Sequence, residues 1–237
     1  MSKSKPPTSK VRAGLDDAQL RAQVIDCSTR EQSLTRAQLA LQHHLVLGVV
    51  LSVPLLSFIA LGGIRVGPRP NELVFQTALG SAVLAALFAI VGLRRGRSML
   101  GRPRSWLLTQ VLLTPISLFG WRVLVSTRYP QMMVEWVERP GFRCFTVSVL
   151  LASMPLLGLL WQRRSSDPVH PRLTAAAVGA AVGAGAWVLV DLWCPVGYVP
   201  HLLLGHVLPL LLLILLSTLI GSRVIGVDRG RTTVAEP

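Results

Sequence analysis

Residues 202–221 read LLLGHVLPLLLLILLSTLIG, twenty positions without a formal charge. At 1.5 Å of rise per residue, a helix of that length covers the hydrocarbon core of a bilayer, about 30 Å thick. Working outward from it, five more stretches have similar length and character: Leu173 to Trp193, Phe142 to Trp161, Trp106 to Ser126, Leu73 to Leu93, and Leu45 to Ile64. The Leu173–Trp193 stretch is rich in Ala and Gly, hence weakly hydrophobic, and is expected to need its neighbours to hold it in place. Six spans and almost nothing between them predict an all-α membrane protein built as a six-helix transmembrane bundle over residues 45–221.

Composition agrees. Of 237 residues, 51% are hydrophobic and 15% charged, with mean hydropathy +0.53, whereas a soluble domain carries about a quarter charged residues. Lys and Arg number 24 against 11 acidic residues, a net +13. Such an excess also suits nucleic-acid binding, but that needs the basic groups gathered on a polar domain. Here they form short clusters between apolar runs. With the N-terminus inside, eighteen basic residues fall on cytoplasmic segments and five outside. Arg122 lies within the third span, near its outer end, where it can snorkel. Both termini are therefore expected in the cytoplasm, leaving a segment 1–44 and a tail 222–237 on that side. The partner this predicts is the lipid bilayer, with no direct nucleic-acid contact. The polar first forty residues carry no signal-peptide pattern.

The N-terminal segment opens with MSKSKPPTSK, a composition too polar to pack. From Gly14 to about Asp26 the pattern reads as a short helix, with Asp16 and Asp17 at the positive end of its dipole. Ser28-Thr29-Arg30-Glu31 fits a capping box that starts a second helix running through His43. Leu15, Leu20, Val24 and Ile25 give the first helix an apolar edge; Leu34, Ala37 and Leu41 give one to the second. Those edges can lie on the membrane surface or against each other, which is the commoner role of paired helices on a stalk. They can also dock a cytoplasmic partner.

On this topology Cys144 begins the fourth span at its outer end, and Cys194 ends the fifth at the same face, within Asp191-Leu192-Trp193-Cys194-Pro195. The sixth span starts just after His201, and His206 lies five residues deeper. Two thiols on the oxidising side can form a disulfide, and thiolate with imidazole can bind a soft or borderline metal ion. Asp191 can orient a histidine or serve as a hard ligand. No CxxC or HExxH spacing supports a metal site. Buried free cysteines, histidines bonded between helices and an Asp191 exposed at a helix end remain the alternatives. Three cysteines are too few for a disulfide scaffold.

Elsewhere the spans read as architecture. Gly179-x-x-x-Gly183 marks a close helix contact. Pro54, Pro115, Pro155 and Pro209 permit kinks, and Trp106, Trp121, Trp161 and Trp193 sit at expected interfaces. No triad, Walker sequence or nucleophile elbow is present, so no enzyme is expected.

The short cytoplasmic N-terminal segment, the six spans, Gly141-Phe142-Arg143-Cys144, and Cys194-Pro195 followed by His201-Leu202-Leu203-Leu204-Gly205-His206 resemble the NrsF family. Its members are bacterial inner-membrane anti-sigma factors that hold an extracytoplasmic-function sigma factor inactive. The resemblance implies that Cys144 and Cys194 match the family's paired outer cysteines, with a role in sensing heavy metals or oxidants. It matches His201 and His206 to the family's histidine motif, as ligands or structural groups. It also implies that residues 1–44 bind the sigma factor, although this segment is shorter than a well-defined anti-sigma domain. The expected function is thus a membrane anti-sigma factor released by an outer-face stimulus. No cofactor is expected to be obligatory, and a soft metal ion can bind transiently at that face. The rival expectation is a small-molecule or metal transporter with the Cys/His cluster at its mouth. A third is a structural subunit with a constitutive disulfide.

Overall fold

The computed structural model describes residues 52–64, 70–93, 103–130, 141–163, 170–194 and 196–225, with isolated positions at 38, 41, 45, 48 and 49. The chain divides into two units, Met1–Leu45 and Val46–Pro237. In the first, positions 38, 41 and 45 are helical, and Leu41 and Leu45 are exposed. Leu15, Leu20, Val24, Ile25 and Leu34, together with the capping box, lie outside the described residues.

The described part of the second unit consists of helices joined by turns and short extended segments. Residues 52–60 form α1, closed by a turn in which Gly62 and Gly63 take positive φ. Then come α2 (Asn71–Leu93), α3 (Arg104–Ser126), α4 (Phe142–Gln162) and α5 (Pro171–Trp193). A continuous last helix follows, made of α6 (Val199–Leu202), a π-helical turn (Leu203–Val207) and α7 (Leu208–Ile225). Five helices are long and apolar enough to cross a membrane: Asn71–Val91, Arg104–Ser126, Phe142–Gln162, Pro171–Trp193 and Val199–Ile225. These match five of the six expected spans to within a few residues. The sixth, Leu45 to Ile64, is described only in part and is helical up to residue 60. The last span starts at Val199, not Leu202, because Pro200 fits a first helical turn, where its missing N–H has no partner to lose. It also runs on to Ile225, past the expected end at Gly221.

Large apolar side chains point outward. Phe75, Leu79, Val83, Leu87 and Ile90 form one exposed row on α2, and Leu208, Leu211, Leu215 and Leu219 form another on α7. Rows spaced three and four residues apart, with apolar groups on the outside, suit a lipid surround and make this a multi-pass membrane protein. The interior is built from small residues. The Ala/Gly-rich α5 is the most enclosed span, 78% buried, and packs against α2, α3, α4 and α7. Its Gly179 faces Ser217 and the Leu213 carbonyl, and Gly183 faces Leu210, so the GxxxG contact is with α7. Small residues let backbones approach, which is how helices gain packing energy where lipid offers no hydrophobic drive. Contrary to the expectation of weak hydrophobicity, α5 is as apolar overall as α4 and more so than α3; what sets it apart is small side chains, which suit a place against protein and hardly any lipid. Midway, Gln110 Nε2 of α3 donates to the Ala177 carbonyl of α5 at 3.0 Å. At one end the Arg163 guanidinium donates to the Leu93 carbonyl, joining the ends of α4 and α2.

Candidate functional site

At the opposite end of the bundle, α5 stops at Trp193, and the chain leaves it extended at Cys194 (φ −85°, ψ 119°). Residues 196–198 carry it to α6, whose first turn presents His201. The first turn of α4 presents Cys144, directly after Gly141, a left-handed N-cap with φ +96°. His201 Nε2 lies 3.4 Å from Cys144 Sγ and 3.2 Å from Cys194 Sγ. No disulfide joins the two sulfurs. With His206 the four side chains offer two sulfurs and two ring nitrogens, all within 4.8 Å of one another.

His206 reaches this cluster through an irregular helix. In an α-helix, residues five apart point about 140° away from each other. The π turn Leu203–Val207 bonds residues five apart and so stacks them on one face. The rings of His201 and His206 consequently sit with centroids 6.0 Å apart. Trp187 of α5 packs its edge against His206 at 5.2 Å, fixing the ring from behind. Neither nitrogen of His206 meets hydrogen-bond geometry with a described protein atom, although the ring favours the thiolate form of Cys194.

Two glycines make room for the approach of α4. A Cβ on Gly205 would stand 3.0 Å from Cys144 Cβ and 3.1 Å from the Gly141 carbonyl oxygen. One on Gly141 would meet the Gly205 nitrogen at 3.0 Å. The left-handed φ of Gly141 also suits only a residue without Cβ. Both glycines belong to the motifs that hold Cys144 and His206, so those motifs interlock.

Arg122 does not snorkel. Its side chain is buried, and Nε pairs with Asp191 Oδ1 at 3.0 Å, while an NH2 group donates to the Val196 carbonyl at 3.3 Å. Asp191 is equally buried and not exposed at a helix end. A lone guanidinium at this depth would carry several kcal/mol of desolvation cost, and the nearest carboxylate offsets it. The pair ties α3 to α5, and the Val196 bond ties both to the segment just after Cys194. Sequence reasoning missed this, because nothing marks partners 69 positions apart.

Exposure of the four cluster residues is 3% for Cys144, 1% for Cys194, 5% for His201 and 2% for His206, so the cluster is closed to solvent. The Cys144 thiol, the His201 ring that contacts its sulfur and the nearby His206 ring hold the Cys194 thiol well below its usual range, against burial pushing it up. Such an arrangement can bind a soft or borderline cation, or close a disulfide if the sulfurs approach.

Comparison with curated proteins and with solved structures found no match. A family model described as NrsF, negative regulator of sigma F, matches residues 28–226. That range takes in the four cluster residues, both glycines and the Arg122–Asp191 pair. The chain, an all-helical multi-pass protein over most of its length, belongs to the NrsF family of negative regulators of sigma factors.

Proposed function

We propose that this protein lies in the bacterial inner membrane with both termini in the cytoplasm, and holds an extracytoplasmic-function sigma factor inactive through residues 1–44. The family match carries the reading, since its members restrain a sigma factor. Sidedness rests on the distribution of basic residues, eighteen against five. The apolar edges of the head, including Leu15, Leu20, Val24, Ile25, Leu34 and Leu41, are the docking surface, in the manner of amphipathic helices laid in a groove.

The stimulus acts at the outer face, on Cys144 and Cys194, with His201 and His206 beside them and Asp191 held by Arg122. Oxidation, or a thiophilic ion acting on the two thiols, changes how the ends of α4 and α5 pack and biases the bundle toward an arrangement that releases the partner. The bias equals the difference in free energy with which the stimulus meets the two packings. About 1–3 kcal/mol changes partner affinity by 5–150-fold.

Pull-down from detergent-solubilised membranes tests the reading, comparing the full chain with one lacking residues 1–44. Recovery of a sigma factor by the full chain only is expected. Equal recovery by both, or by neither, refutes the docking assignment.

A further inference from the structure

We propose that Cys144, Cys194, His201 and His206 together form a closed tetrahedral centre for a resident divalent d¹⁰ ion of the zinc class. On this view the site is metallated at rest and does not wait empty for a passing metal. The inference deepens the reading of these residues as a switch, and rests on it only for what loss of the ion does.

Ligand number and type come first. Two sulfurs and two imidazole nitrogens from α4, the end of α5 and the last helix converge within 4.8 Å. Zinc–sulfur bonds near 2.3 Å and zinc–nitrogen bonds near 2.0–2.1 Å place S and N about 3.6 Å apart on a tetrahedron. The two sulfur-to-His201 separations, 3.4 and 3.2 Å, are within a few tenths of that. An ordinary hydrogen-bonded histidine has no need of two sulfurs on one nitrogen.

His206 is the second observation. Its ring is 2% exposed, yet neither nitrogen meets hydrogen-bond geometry with a described protein atom. A buried imidazole in that position costs about 1–3 kcal/mol unless something satisfies it. The π turn that brings it there is itself an irregularity that concentrates at functional sites.

Charge selects the ion. Binding displaces two thiol protons to solvent, leaving two thiolates and two neutral imidazoles around the cation. A divalent ion makes that set neutral. A monovalent one leaves a net negative charge buried, and Arg122 cannot answer it because Asp191 already does. Burial of all four ligands leaves no open position for substrate, which is the pattern of structural sites. A stimulus therefore works by displacement: an oxidant or a more thiophilic cation must take the thiolates from the resident ion.

The full chain, purified in detergent without added metal, is expected to carry close to one zinc per chain by elemental analysis. Reconstituted with Co²⁺ alone, it is expected to show the intense visible absorption of tetrahedral cobalt with thiolate ligands. His206→Gln and His201→Gln are each expected to weaken zinc binding at least tenfold. Retained helical circular dichroism and a monodisperse elution profile in detergent report that those variants are folded. A wild-type chain that neither carries zinc nor gives the tetrahedral cobalt spectrum overturns the centre, even if its cysteines govern release. Unchanged zinc affinity in a folded His206→Gln chain removes that ligand and overturns the four-coordinate assignment. If the wild type holds zinc but a Cys144→Ser, Cys194→Ser chain still releases its partner on oxidant, the centre stands and only the switch falls.

Discussion

Replacing Asp191 with Asn isolates the Arg122 guanidinium in a place from which it cannot reach water. The side chains are 1% and 0% exposed, and the contact is a direct one at 3.0 Å. Removing one partner from a buried pair costs about 3–5 kcal/mol, because a desolvated charge is left unanswered. Removing both is different. In Arg122→Met, Asp191→Leu the pair's mutual attraction and its desolvation cost vanish together, and what remains is the Val196 carbonyl stripped of its donor, worth about 1–3 kcal/mol if it stays dry. The double variant is therefore expected to be more stable than Asp191→Asn by about 1–3 kcal/mol, despite carrying more substitutions. Equilibrium unfolding in mixed micelles measures all three proteins on one scale. If Asp191→Asn costs less than about 1 kcal/mol, the guanidinium has found water or another anion, and burial does not enforce this pairing. If single and double variants cost the same, the desolvation argument is wrong.

The remaining expectations use other contacts. Gly179→Ala puts a methyl group 2.7 Å from the Leu213 carbonyl and against Ser217, and is expected to push α7 away at a cost of about 1–3 kcal/mol. Gly185→Ala, in the same helix with nothing within 4 Å of the new Cβ, is expected to be neutral or to stabilise by up to about 1 kcal/mol; thermal melting of the pair in detergent checks the contrast. Gly205→Ala crowds Cys144 and the Gly141 carbonyl, so zinc titration is expected to show at least tenfold weaker binding, even where melting changes little. Gln110→Leu gives up one bond to the Ala177 carbonyl but also frees a buried, unsatisfied amide oxygen; a net change under about 1 kcal/mol is expected on the same unfolding assay.

Much of this fold can be read from residue order alone, because a membrane imposes few solutions. Uninterrupted apolar runs place α2, α3, α4, α5 and the last helix to within a few residues. The small side chains of Leu173–Trp193 already say that this span lives among other helices. Convergence of Cys144, Cys194, His201 and His206 is legible as topology, since the ends of α4, α5 and the start of the last span must share a face. What residue order hides is register. The five-residue step from His201 to His206 disagrees with the α-helical period, and that mismatch was the available sign of the π turn. The interlock of Gly141 with Gly205 and the pairing of Arg122 with Asp191 depend on helix rotation, which no periodicity in a uniformly apolar span records. For Arg122, proximity to a span end suggested snorkelling, whereas the carboxylate two helices later decides its place.

That pairing also bears on how the chain is made. Arg122 leaves the ribosome 69 residues ahead of Asp191, and at about 5–20 residues per second its charge waits roughly 3–14 s for that partner. During that interval α3 has no anion of its own at that end, and α5, once made, still lacks the α7 backbone its glycines are shaped to meet. Biogenesis therefore cannot finish one helix at a time. The third span must linger beside the insertion machinery or at the headgroups, and α5 settles between its neighbours only when the final Leu-rich helix arrives to close around it.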